Sequence, residues 1–214
     1  MSSKIQVLLP VVLIRIFAFA GFVSAAILLI NAAKRAGIIP TSPFTQLAAP
    51  LAQVAAIGLV IGIYVMISRT AGALATLGAV LSVMSLAGLV GVEFVLNLVL
   101  PYVDQNVVAV LRAGPLGIAL TVVSMVFLLG TVTFMLALWR TSTVPKSAII
   151  LYTASSIPIA LRTVFPETVL QLGLAGLALA ATFLAVWMLR SIPRITAADG
   201  LSTTAQSTAV IATS

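Results

Sequence analysis

From Val7 onward the chain runs in long apolar stretches, and each stretch stops at a charge, a proline or both. Neither strict alternation nor a 3.6-residue stripe stands out within them. A helix that touches lipid on one side and protein on the other is apolar all round, so the missing stripe is itself informative. A membrane span needs about 20 mainly apolar residues. Reading between the breaks predicts six α-helical spans, at 11–32, 48–68, 73–100, 114–138, 147–164 and 168–190. The third is long enough to tilt. The fifth is short and carries Ser155, Ser156 and Pro158, which predicts a kinked helix screened by its neighbours. The expected fold class is therefore all-α: a polytopic transmembrane helical bundle of about six spans over residues 1–192. Residues 193–214 turn to Ala, Ser and Thr, the composition of a disordered polar cytoplasmic tail.

Composition sharpens this picture. The chain is 62% hydrophobic and 7% charged, with a mean hydropathy of +1.27. A soluble domain carries roughly a quarter charged residues, and so few charges could not cover a soluble surface of this size. There is no Cys and no His, which removes disulfides, thiol catalysis, haem ligation by either residue and ordinary zinc sites. The four carboxylates, Glu93, Asp104, Glu167 and Asp199, lie more than ten residues apart, so no local carboxylate metal motif exists. Catalytic, cofactor-binding and metal-ligating sets are expected to be absent, and the chain is read as not an enzyme.

The charge of +7 rests on 11 basic residues scattered in ones and twos at the ends of apolar runs. Without a basic cluster there is no signature of nucleic-acid binding. The expected partner is the lipid bilayer, with other membrane proteins or a second copy of the chain left open. Met1 to Lys4 followed by an apolar run imitates a signal peptide, but Arg15 interrupts it and hydrophobicity continues to Ile30. An uncleaved first helix is the better reading.

The breaks alternate in character. Arg69, Arg140 and Arg190 close the second, fourth and sixth spans, while Pro40, Pro101 and Pro166 mark the opposite ends. Three like hairpins result, although anchoring arginines and turn prolines recur for physical reasons without duplication. One side then collects Lys4, Arg15, Arg69, Arg140, Lys146, Arg190 and Arg194, and the other Lys34, Arg35, Arg112 and Arg162. That distribution predicts both termini on the cytoplasmic side of a cell membrane.

Gly58-x-x-x-Gly62 is a small-residue pair that lets helix backbones approach, within the bundle in preference to a dimer. Ser82, Ser85, Gly88 and Gly91 suggest the same for the third span. Glu93 is the one acidic residue inside a span, about 12 Å from the boundary at Pro101. Such residues face the bundle interior, pair or titrate. Asn97 shares its helix face, and Arg112 and Arg162 are the cations nearest in depth, whereas Arg15 is placed to snorkel to the opposite surface. Glu93, Asn97, Arg112 and Arg162 form the candidate intramembrane polar site. It is either a buried ion pair that fixes helix register or a pocket for a solute or proton.

The segment Arg15-Ile-Phe-Ala-Phe-Ala-Gly21, a proline-bearing loop and five further apolar helices with arginine-terminated hairpins resemble, over about residues 10–192, six-pass bacterial integral membrane proteins grouped as a domain of unknown function. The resemblance implies a six-helix membrane fold and carries no activity or site residues. Two functions are compatible with the sequence. The first is a non-enzymatic membrane component such as a scaffold or partner subunit. The second is a small secondary transporter with its coupling site at Glu93.

Overall fold

The computed structural model describes residues 11–68, 70 and 72–211, with side chains placed as far as Pro193. Seven α-helices follow one another: α1 (Val11–Arg35), α2 (Pro43–Ile67), α3 (Gly72–Phe94), α4 (Gln105–Ala113), α5 (Pro115–Thr141), α6 (Lys146–Ala160) and α7 (Glu167–Ile211). A π-helical turn, Val95–Val99, and a 3-10 turn, Leu100–Tyr102, prolong α3. No strand occurs among the described residues.

Five of these helical stretches are long and apolar enough to cross a bilayer: Val11–Arg35, Pro43–Ile67, Gly72–Tyr102, Pro115–Thr141 and Glu167–Pro193. The fifth expected span, 147–164, corresponds to α6, which has 15 residues and falls short of that length. The fold is thus an all-α bundle with five candidate membrane-crossing helices and one shorter helix packed among them. Two further differences from the sequence expectation lie at joints. Residues 105–113 form α4, a surface helix started by Asp104, whose Oδ1 accepts from the Asn106 backbone N–H at 2.8 Å. The backbone is also helical from Arg194 to Ile211, where composition suggested a disordered tail. Ala197, Ala198, Ala205 and Ala209 give that stretch helix propensity that its polarity obscured.

The helix ends have local causes. At the end of α1, Gly37 takes φ +73°, and the Ile38 and Gly37 N–H groups donate to the carbonyls of Ala33 and Lys34. This is the Schellman arrangement, and it needs a residue at ease with a left-handed backbone. Ser42 then starts α2 with a capping box to Thr45, and Pro43 occupies the first helical position.

The helices close into a ring in which each packs on the next in the order α1, α2, α3, α5, α6, α7 and back to α1. Small residues set the closest approaches. A Cβ on Gly78 would lie 2.6 Å from the backbone of Phe134, and one on Gly130 2.8 Å from the backbone of Leu81 and Ser82. Helices α3 and α5 therefore touch backbone to backbone. Gly58 and Gly62 face Ala20 and Phe17 of α1, which places that pair inside the bundle as expected. Of the small residues on α3, Ser82 and Ser85 are buried and Gly88 meets Val123, while Gly91 has open space.

The core runs down the ring's middle and is densest at the end where α1 begins, where Ile14, Ile63, Leu138, Leu184 and Met188 are 0–1% exposed. The outer surface is apolar too. Phe19, Met84, Ile118 and Leu172 are each more than 60% exposed, a distribution suited to a hydrocarbon solvent and costly in water.

Candidate functional site

The two ends of the ring differ in chemistry. At the end where α1 starts, Trp139 and Trp187 stand beside Arg140 and Arg190. Lys146 Nζ sits 5.0 Å over the Trp139 ring, and the Trp187 indole donates to the Thr143 carbonyl at 2.8 Å. Tryptophan and basic residues together are the usual lining of a membrane interface. Lys4 and Arg69 lie outside the described residues, as does the Arg194 side chain.

Polar side chains gather at the other end, and helix geometry explains how. Asn31, Lys34 and Arg35 are spaced three and four apart, so the last turns of α1 present all three to one region. Cations there also suit the negative end of the helix dipole. From α3, Glu93 and Asn97 arrive one turn apart, and the π-helical turn begins two residues after Glu93. Lys34 Nζ donates to Asn97 Oδ1 at 2.8 Å. Asn97 Nδ2 donates in turn to Glu93 Oε2 at 2.8 Å and to the Glu93 carbonyl at 2.9 Å. The result is a relay from ammonium through amide to carboxylate that ties α1 to α3. A second tie joins α1 to α7: Arg35 Nη1 meets Glu167 Oε1 at 3.0 Å, and Gln171 donates to the Arg35 carbonyl at 3.1 Å.

Two small cavities, each of about 40 Å³, lie against Glu93. One is lined by Asn31, Arg35 and Arg162 towards the polar end. The other lies in the middle of the ring, with Ser24, Gln53 and Tyr152 among residues from all six ring helices. Glu93, Ile159 and Leu174 border both and form the neck between them. Each has room for one to a few waters. The Asn31 Oδ1 is buried without a hydrogen-bond partner among the described residues, which makes a water in the first cavity the natural donor.

Of the four residues singled out in the sequence, Glu93 and Asn97 are hydrogen-bonded to each other, and Arg162 reaches the cavity beside Glu93. Arg112 stands apart from Glu93. It lines an outward cleft of about 220 Å³, together with Arg162. Lys34 takes the place beside Glu93 that depth alone assigned to the arginines. The signal that could have found it is the 31/34/35 spacing at the end of α1, which the sequence reading used only for counting charge. Burial first, and then the charge of Arg35, draw the Arg162 guanidinium below its ordinary range, with Glu93 opposing. It stays protonated all the same.

Among the described residues no group of three or more His, Cys, Asp or Glu converges as a metal site would require. No protein-family model, curated protein or solved structure matches this chain. Chemically, the arrangement can hold helices in register, trap a few waters and present cations outward.

Proposed function

We propose that the chain is a six-span protein of the cell membrane, with both termini cytoplasmic, that serves as a non-enzymatic membrane component binding its neighbours from the outside of the bundle. The observation that carries this reading is the distribution of space. The interior cavities at Glu93 measure about 40 Å³ each, too small for a solute. Below them, the Ile14, Ile63, Leu138, Leu184 and Met188 layer closes the ring with apolar side chains. The roomier clefts, of about 220, 360 and 400 Å³, all open outward, between α3, α5 and α6, beside Trp187, and along α5 and α6. In this reading α6 completes the six spans, kept short because α5 and α7 flank it, and the Glu93–Asn97–Lys34 relay is a structural clasp.

The test is gentle extraction followed by native mass spectrometry, run beside proton-flux assays in proteoliposomes. The expected result is a bound protein partner or second copy at fixed stoichiometry, with no proton-linked flux. Flux that Glu93→Gln abolishes while the fold survives would overturn it.

A second reading, a small proton-coupled transporter with its site at Glu93, is favoured by a separate observation. Glu93 borders both axial cavities and lies two residues before π-helical backbone, which is frequent at functional positions.

A further inference from the structure

The polar end of the ring carries four cations and three anions: Lys34, Arg35, Arg112 and Arg162 against Glu93, Asp104 and Glu167. Their pairing is uneven. Lys34 reaches Glu93 through Asn97, Arg35 holds Glu167, and Asp104 caps α4. Arg112 and Arg162 have no hydrogen-bonded or ion-paired partner among the described residues, and both face the same cleft of about 220 Å³. Glu93 and Glu167 act on Arg162 only from a distance, and the charge of Arg112 adds repulsion. Two guanidiniums that repel each other at one opening, with their N–H donors unspent, call for an anion that accepts from both.

The rest of the cleft narrows the class of anion. Away from the arginines the walls are Val92, Leu96, Leu120 and Met125, an apolar trough between α3 and α5 that Ala160 and Leu161 border from the α6 side. Thr121 and Ser124 also line it, but their hydroxyls already donate to the Gly117 and Leu120 carbonyls. Thr163, at the exposed rim, is the one lining hydroxyl without a hydrogen-bond partner among the described residues, so the two guanidiniums dominate what the cleft can hold. Gly117 fixes the geometry of the mouth, because a Cβ there would collide with the Arg112 carbonyl. Only glycine lets α4 fold tightly enough onto α5 to bring Arg112 to the opening.

We infer that this cleft is a binding site for an anionic phospholipid, with the phosphate held between Arg112 and Arg162 and an acyl chain lying in the Val92–Leu96–Met125 trough. The inference holds under either reading of Glu93, since Glu93 does not line this cleft. Arg112 and Arg162 end α4 and follow α6, at the headgroup level for helices that cross a bilayer. A phosphate there would neutralise charge that the protein leaves uncompensated.

The test uses the full-length protein in mild detergent. Phosphatidylglycerol, phosphatidylcholine or inorganic phosphate is added separately, and bound lipid is read by native mass spectrometry beside thermal unfolding. One phosphatidylglycerol should be retained from equimolar phosphatidylglycerol–phosphatidylcholine vesicles and should raise the melting temperature. Arg112→Gln, at an exposed position, should weaken retention about tenfold, the loss expected for one charge-assisted contact. Arg162→Lys, which keeps the charge but loses the planar fork, should weaken it less than Arg162→Gln. Arg140→Gln, at the opposite end, should change nothing. Equal retention of both lipids, or unchanged retention in Arg112→Gln and Arg162→Lys together, would overturn the assignment. Stabilisation by inorganic phosphate as large as that by phosphatidylglycerol would also overturn it, showing a free-anion site that ignores the acyl chain.

Discussion

Remove either end of the Lys34–Asn97–Glu93 relay and the other end loses its compensation. Asn97 is 9% exposed and makes both contacts at 2.8 Å. A hydrogen bond to a charged group contributes about 1.5–3 kcal/mol, less where water reaches it. Lys34 is half-buried, so Lys34→Met should cost about 1 kcal/mol. Glu93→Gln keeps an acceptor but loses the charge, for about 1–2 kcal/mol. Asn97→Leu breaks both contacts and leaves an ammonium and a carboxylate unbridged, for about 3 kcal/mol. The decisive quantity is the coupling in the Lys34→Met, Glu93→Gln cycle. The double variant should be about 1 kcal/mol more stable than the sum of the singles predicts. The assay is reversible denaturant titration in detergent, with near-ultraviolet circular dichroism reporting on Trp139 and Trp187. Additivity within about 0.3–0.5 kcal/mol, or full stability in Glu93→Gln, would refute the clasp. A matching cycle between Glu93→Gln and Arg112→Gln should be additive, since Arg112 lines a cleft that Glu93 does not reach.

Three further outcomes follow from the fold. Thr41→Cys should label from outside the cell and Thr143→Cys should not. These exposed positions avoid Ser42, which caps α2, and Ser142, whose φ of 53° makes it a poor site for substitution. Gly130→Val should cost at least about 1–3 kcal/mol in thermal unfolding, because the new atoms meet the backbone of Leu81 and Ser82, which cannot rotate away. Arg35→Ala should cost no more than about 1 kcal/mol, since the Arg35–Glu167 pair is open to solvent; a larger loss would show that the α1–α7 seam depends on it.

The helices were legible because a bilayer admits few alternatives: a long apolar stretch bounded by charge or proline has only one economical way to satisfy its backbone. Thus 11–32 became Val11–Arg35 and 114–138 became Pro115–Thr141. α4 was not legible, because nine residues between Asp104 and Gly114 carry too little pattern to separate a surface helix from a loop. At the candidate site, Glu93 and Asn97 could be joined from sequence because helical spacing sets their distance. The link to Lys34 spans 63 positions and depends on how the ring closes, with α2 between α1 and α3. Depth along a span is readable from sequence, but rotation about the helix axis is not when the helix is apolar on every side. The same ambiguity hid the close approach of α3 and α5 at Gly78 and Gly130, since neither glycine stands out among 14.

The shortness of α6 has a consequence for the bilayer itself. Fifteen residues rise about 22 Å, whereas the hydrocarbon layer is about 30 Å thick. Its neighbour α5 has 27 residues and rises about 40 Å. Under the six-span reading proposed above, lipid on the α6 flank compresses or draws headgroups inward. On that reading the molecule makes a one-sided dent in the membrane. The strain grows by fractions of a kcal/mol for each Å of added thickness, so thin membrane is where this protein is most at ease.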